Sequence, residues 1–184
     1  SKIIKSSLLS LVIFTSSILL SLQVAAQINE EIEKSFTVTG ESDFSLSNIN
    51  GTVAISSWQE NTIKVLASIS AKTQESRDDV TINMVQRGQK VSVQTDYNEK
   101  GYRQNKQMAK VDYQIWLPAE TDLSDIELVN GSLTIKNVDG KVEAEVVNGS
   151  INATGLSGNS EISAVNGSVN VDYKAQADDV ESIE

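Results

Sequence analysis

The sequence predicts an all-β fold: a β-solenoid-like stack of 18-residue coils, preceded by looser strands and a hairpin. Three observations lead to this prediction. Glycine recurs every nine residues, at 131, 140, 149, 158 and 167. Apolar and polar residues alternate between these glycines, which is typical of strands. The stretch Val-Asn-Gly-Ser returns every 18 residues, at 129–132, 147–150 and 165–168, so the full unit is 18 residues long.

The Asn-Gly pairs of these units are predicted to be structural turns. They are Asn130-Gly131, Asn148-Gly149 and Asn166-Gly167. Asparagine and glycine both tolerate positive φ, so each pair marks a change of direction between two strands. Stacked units would also allow the three asparagine side chains to form an amide ladder.

Alignment of the three units gives five apolar columns that are expected to face the core. A meander of antiparallel hairpins and a solenoid both fit this pattern. The solenoid is favoured, because residues 18 positions apart match in size and polarity, as parallel stacking requires. The columns are Ile126/Ala144/Ile162, Leu128/Val146/Ala164, Val129/Val147/Val165, Leu133/Ile151/Val169 and Ile135/Ala153/Val171.

The first half of the chain predicts strands of less regular spacing. Residues 50–55 look like a degenerate copy of the repeat, and residues 62–70 alternate as a strand does. A hairpin is expected around Arg87-Gly88, from strands 81–85 and 90–95. A further strand covers 111–117 and ends at Pro118. Residues 71–80 could form a short turn, and residues 97–110 are expected to form an exposed loop.

The N-terminal residues 1–26 are predicted to be a signal peptide. Lys2 and Lys5 precede an apolar run, and Val24-Ala25-Ala26 fits a cleavage site. Residues 27–184 would then form one domain of an exported protein. The tail 179–184 resembles the approach to another Asn-Gly corner, so the domain is expected to be incomplete at its C-terminus.

Composition removes most catalytic chemistry. The 184 residues contain no cysteine and no histidine, so thiolate nucleophiles, serine–histidine triads and most zinc sites are excluded. We expect no catalytic residues, cofactor or metal site. The net charge of −10 repels phosphate backbones, so nucleic acid is not expected as a partner.

The segment 97–110 contains the expected partner contact. Tyr97, Tyr102 and Arg103 combine aromatic and basic side chains in an otherwise acidic chain, and such residues are common in recognition surfaces. The alternative is a hairpin tip without a binding role.

The order of these features resembles the bacterial "putative adhesin" family of β-strand-repeat domains. The resemblance rests on the strand 111–117 with Pro118-Ala119, the Asn-Gly-Ser repeats that follow, and Asn50-Gly51 with Trp58 upstream. It implies a right-handed β-helix-like fold, usually exported or membrane-linked, without established catalytic residues.

We therefore expect a non-enzymatic exported envelope or surface protein, in the periplasm or at the cell surface of a bacterium. It would act as an adhesin-like interaction or structural module that binds an envelope protein or glycan, or self-associates through an open strand edge. The alternatives are a glycan-active enzyme on a β-helix, which would need two converging carboxylates, and an envelope-stress accessory or sensor protein.

Overall fold

The computed structural model describes residues 27–98 and 108–175, which form thirteen strands and one short helix. The predicted signal peptide, Tyr102, Arg103 and the tail 179–184 lie outside the described residues. The elements are β1 (Ile28–Thr37), β2 (Asp43–Asn50), β3 (Val53–Trp58), β4 (Thr62–Ala71), α1 (Gln74–Asp78), β5 (Val80–Arg87), β6 (Lys90–Tyr97), β7 (Lys110–Pro118), β8 (Asp122–Asn130), β9 (Leu133–Lys136), β10 (Val142–Asn148), β11 (Ile151–Leu156), β12 (Ser160–Asn166) and β13 (Val169–Tyr173).

The strands form two mixed sheets, so the predicted all-β class is confirmed. The seven-stranded sheet has the order β1-β4-β7-β3-β9-β11-β13, and the six-stranded sheet has the order β12-β10-β8-β2-β6-β5. The sheets are not closed, and the first half of the chain contributes antiparallel pairs, namely β1–β4, β4–β7 and β5–β6. The looser strands and the hairpin predicted before the repeats are present. The strands nevertheless lie in two open mixed sheets with antiparallel neighbours at one end, and not in one closed solenoid.

From β8 onward the chain alternates between the two sheets, and equivalent residues lie side by side. In the six-stranded sheet Ala144 pairs with Ile126 and Ile162, and in the seven-stranded sheet Ile151 pairs with Leu133 and Val169. These pairs are parallel and 18 residues apart. The upstream copy joins the same stack, since Asn50 pairs with Asn130 and β3 pairs with β9.

The core lies between the two sheets and follows most of the predicted columns. Ile126 and Leu128 are buried, as are Val146 and Ile151 in the next unit. The prediction for the Val129/Val147/Val165 column was wrong. Val129 is 38% exposed and Val165 is 63% exposed, because period-2 alternation turns the residue after Leu128 towards solvent. The second apolar residue before each Asn-Gly pair therefore faces outward.

Glycine recurs every nine residues because two corners of the stack have no room for a Cβ atom. A Cβ on Gly149 would lie 1.8 Å from the carbonyl oxygen of Gly131, and one on Gly158 would lie 2.3 Å from that of Gly140. The first pair lies at the Asn-Gly corner and the second at the opposite end of the same strands. Alternate glycines of the nine-residue pattern thus line two different corners.

At the other end of the stack, side chains join β1 to the β5 side of the six-stranded sheet. Lys34 Nζ donates to Met84 O at 3.0 Å, and Gln86 Nε2 donates to Thr37 O at 2.8 Å. Arg77, which follows β4 in α1, pairs with Glu30 at 2.6 Å. The hydrogen bond from Arg77 lowers the pKa of the Glu30 carboxyl below its usual value. These contacts connect the two sheets at this end.

Candidate interaction surfaces

The corner between β6 and β7 is the place of the loop that the sequence singled out. Tyr97 ends β6 and is half-buried; its hydroxyl donates to Ala109 O at 3.2 Å, and burial raises its pKa. The ring packs against the core, so Tyr97 belongs to the base of the loop. β6 lies beside β2 and β7 lies beside β3, so the described ends of β6 and β7 flank the Asn50-Gly51 corner.

Beneath this corner lies a buried polar cluster that the sequence did not predict. Thr95 Oγ1 and Tyr113 Oη are 2.6 Å apart, and burial raises the pKa of Tyr113 to about 12. Asn48 is 1% exposed and its Nδ2 donates to Val111 O at 2.9 Å, but its Oδ1 has no hydrogen-bond partner among the described residues. Asn48 pairs with Leu128 in the neighbouring strand, so it stands where the repeat has an apolar residue.

The outer face of the seven-stranded sheet carries an aromatic and basic patch, formed by Trp58, Trp116 and Lys64. The two ring centroids are 6.3 Å apart, with an angle of 31° between the ring planes. Lys64 Nζ lies 5.6 Å from the centroid of Trp116, within cation–π range. All three side chains are partly exposed. The patch thus places two aromatic rings beside a lysine on one partly exposed surface.

Local contacts hold the patch in place. Trp58 Nε1 donates to Thr62 O at 2.8 Å across the connection between β3 and β4. Lys64 Nζ lies 3.1 Å from Glu33 on β1. Trp116 on β7 pairs with Lys64 on β4 and with Ser56 on β3, two residues before Trp58. Trp116 therefore lies between the strands that carry Lys64 and Trp58. The two tryptophans are 58 positions apart, and only the pairing of β3 with β7 brings them together.

The outer face of the six-stranded sheet has a different character. Glu145 pairs with Glu127, and Glu143 pairs with Glu161, so acids from three successive strands lie side by side. Asp125 lies on the same surface and lines a shallow depression with them. Like charges in direct opposition destabilise a sheet, so this arrangement costs folding free energy. The two outer faces of the molecule therefore differ in charge and in aromatic content.

The Asn-Gly corners form a hydrogen-bonded ladder along one edge of the stack. Asn148 Nδ2 donates to Asn130 Oδ1 at 3.0 Å, and Asn166 Nδ2 donates to Asn148 Oδ1 at 3.0 Å. A second ladder runs through the outer face of the seven-stranded sheet, where Asn170 Nδ2 donates to Asn152 Oδ1 at 3.1 Å. These amides fix the register of neighbouring units.

Among residues 27–98 and 108–175, β12 and β13 are the outermost strands at the repeat end of the stack. Their apolar side chains are more exposed than the equivalents in earlier units: Val169 is 42% exposed, whereas Ile151 and Leu133 are 1% exposed. Tyr173 is 51% exposed. This end presents apolar surface together with strand edges.

The described part of the chain contains no group of three or more acidic, histidine or cysteine side chains placed to hold a metal ion. No helix there is long and apolar enough to cross a membrane.

Comparison with known proteins shows the fold but no family. No protein-family model and no curated protein matches the chain. A solved structure described as a "putative cell adhesion protein" from Clostridium sporogenes ATCC 15579 aligns with a TM-score of 0.51 at 12% identity, over 80% of this chain and 100% of that one. This chain therefore shares the fold of that protein.

Two proteins from Parabacteroides distasonis ATCC 8503 align less closely, each at 12% identity. One, described as a "putative lipid binding protein", has a TM-score of 0.35 over 77% of this chain and 59% of that one. The other, described as a "putative adhesin", has a TM-score of 0.30 over 78% of this chain and 69% of that one.

Proposed function

We propose that the chain is a non-enzymatic, exported protein of the bacterial envelope or surface that acts as an adhesin-like interaction module. One observation carries the proposal: the patch of Trp58, Trp116 and Lys64 on the outer face of the seven-stranded sheet. The fold shared with a protein described as a cell adhesion protein is consistent with it. The partner would be a protein or a glycan of the envelope or surface.

The composition of the patch supports a role in contact. Aromatic residues are enriched in the cores of protein interfaces, and tryptophan contributes most often to binding energy there. Trp58 is already fixed by its hydrogen bond to Thr62, so little conformational freedom is lost when a partner binds. The opposite face, with Glu127 and Glu145, is acidic and, as far as the structure describes it, offers no comparable aromatic surface.

Site-specific cross-linking in intact cells tests the proposal. A photoreactive side chain is placed at position 116, and the matched control carries it at position 145 on the opposite face. We expect a discrete cross-linked product from position 116 that is lost in a Trp58→Ser variant and absent from position 145. Equal products from both positions would contradict the patch, and turnover of a soluble glycan by the purified chain would contradict the non-enzymatic role.

The exposed strands β12 and β13 favour self-association as a second mode of interaction. An unpaired strand edge is a template for another strand, and exposed Val165 and Val169 would be covered by such pairing. We also propose that residues 122–173 form the right-handed coils that the sequence resemblance implies. The alternation between sheets and the 18-residue register support this arrangement.

A further inference from the structure

The chain contains four Asn-Gly dipeptides, at Asn50, Asn130, Asn148 and Asn166. An Asn-Gly dipeptide can deamidate without an enzyme. The backbone nitrogen of the glycine attacks Cγ of the asparagine and forms a C–N bond as it loses its proton. The Cγ–Nδ2 bond breaks, and the side-chain NH2 group takes up a proton and leaves as ammonia. Water then opens the resulting succinimide ring to give aspartate or isoaspartate. Glycine favours the reaction because it has no Cβ to hinder the approach.

Three of the four glycine nitrogens are engaged in hydrogen bonds between layers. Attack on Cγ requires such a bond to break first, and a buried or structured N–H loses free energy when it is left unpaired. The donors and acceptors are Gly51 N to Asn130 O at 2.9 Å, Gly131 N to Asn148 O at 3.0 Å, and Gly149 N to Asn166 O at 3.1 Å.

Gly167 differs from the other three glycines. Its N–H has no acceptor within the described ranges 27–98 and 108–175. Asn166 and Gly167 are both exposed. The side chain of Asn148 has two ladder bonds, one as donor and one as acceptor, whereas the side chain of Asn166 has only its bond to Asn148. Among the described residues, the backbone nitrogen of Gly167 is therefore unpaired, and the side chain of Asn166 makes fewer hydrogen bonds than that of Asn148.

We propose that Asn166 is a site of spontaneous deamidation and that the stack protects Asn50, Asn130 and Asn148. The product carries a carboxylate where Asn166 donated to Asn148 Oδ1, so the last ladder bond is lost and two oxygens face each other. An isoaspartate also adds one backbone carbon at a corner where a Cβ on Gly167 would already lie 1.6 Å from Gly149 O. The modification alters the outermost layer of the stack and adds negative charge to it.

Three of the sites provide an internal control, because Asn130, Asn148 and Asn166 are each followed by Gly-Ser. The full chain is incubated in mildly alkaline buffer, once folded and once in denaturant, and conversion at each asparagine is measured by tandem mass spectrometry. Equal local sequences predict equal rates in denaturant. In the folded protein we expect Asn166 to convert at least about tenfold faster than Asn148. The reason is that the hydrogen bond from Gly149 N to Asn166 O must break before Asn148 can react.

Two results would overturn the proposal. One is equal conversion of Asn166 and Asn148 in the folded protein, and the other is slow conversion of all three sites relative to denaturant. An Asn166→Gln variant serves as the second measurement. It should remain unmodified at that position while Asn130 and Asn148 keep their slow rates. Faster conversion of Asn148 would contradict protection by the backbone hydrogen bonds between layers, since it would trace that protection to the Asn166 side chain.

Discussion

The carbonyl oxygen of Gly131 occupies the space where any side chain at position 149 would begin, since a Cβ there would lie 1.8 Å away from it. Both partners in this contact are backbone positions in adjacent layers, so neither can rotate aside. The contact repeats between Gly51 and Gly131 and between Gly149 and Gly167. The spacing between layers is thus set by glycine at this corner.

Replacement of Gly149 by alanine should therefore strongly destabilise the protein. We expect a loss of at least about 3 kcal/mol in the free energy of unfolding, because the clash forces a backbone shift in two layers. Gly40→Ala is the matched control, since Gly40 also has positive φ but no atom within 4 Å of the added Cβ. It should lose only about 1 kcal/mol, from φ strain. Urea denaturation of both variants checks this, and similar losses would show that backbone strain alone explains the glycine.

Asn48→Leu should stabilise the protein. The substitution removes a buried Oδ1 that has no partner and extends the column of its strand neighbour Leu128. It also removes the hydrogen bond to Val111 O, so the net gain should be about 1 kcal/mol. The opposite change in the neighbouring strand, Leu128→Asn, should lower the free energy of unfolding by about 3 kcal/mol or more, because it buries an amide without a partner. Thermal and urea unfolding give both values; a destabilised Asn48→Leu protein would mean that the polar cluster at this corner is structurally required.

Asp112 should make stability depend on pH. Its carboxylate accepts from Thr52 N at 2.7 Å and from Lys110 Nζ at 2.7 Å. Burial acts to raise its pKa, but the hydrogen bonds from Lys110 and Thr52 outweigh burial, so the pKa lies below its usual value. The carboxylate therefore stabilises the folded state above the unfolded pKa of about 4, and this contribution is lost as the pH falls through the lower folded value.

Asp112→Asn should consequently cost about 1 kcal/mol at neutral pH, and the difference from the wild-type protein should close in strong acid. Unfolding measured across the acid range checks this. Asp125→Asn is the control, because the carboxylate of Asp125 has no hydrogen bond or ion pair with the described residues. Asp125 lies on the acidic outer face of the six-stranded sheet. A pH-independent loss for Asp112→Asn would attribute the effect to packing.

The proposed self-association should depend on Val165 and Val169. Sedimentation of the wild-type chain should show reversible association that rises with concentration, since pairing covers exposed apolar surface. Val165→Lys with Val169→Lys should shift the chain to monomer, because lysine on an edge opposes pairing. Val85→Lys, a change of the same kind on β5 where Val85 is 46% exposed, should leave association unchanged. A monomeric wild-type chain at all concentrations would rule out this mode.

The strand register of the repeat half could be predicted, because residues 18 positions apart match in size and polarity. Ile126, Ala144 and Ile162 do lie in adjacent strands. The exposed Val129 was not predicted, since two apolar residues before Asn-Gly leave open which of them faces the core. Strand alternation decides this, and it runs unbroken from Ile126 to Val129.

In the first half, the strands 62–70 and 111–117 and the hairpin around Arg87-Gly88 were predicted correctly. The pairing of distant strands and the aromatic patch could not be predicted, because they depend on contacts between segments far apart in the sequence. No sequence feature near Trp58 indicates that it lies beside Trp116. The pairing of β1 with β4 likewise has no repeat in the sequence that predicts it. The short helix α1 replaced the expected turn at 71–80 because Thr73 caps it, with Thr73 Oγ1 accepting from Ser76 N at 3.1 Å. Tyr97 is half-buried and its ring packs against the core, and its role as a contact residue stays a prediction.

The two ends of the molecule set how its length can change during evolution. At one end β1 and β5 are joined to their sheets by antiparallel pairing, so a duplicated 18-residue unit finds no matching parallel strand there. Within residues 123–173, by contrast, each layer offers its neighbour the same pairing pattern, glycine clearance and amide donor. An extra copy of residues 132–149 spliced in after Gly149 should therefore insert in register, and related chains should differ in length by multiples of this unit.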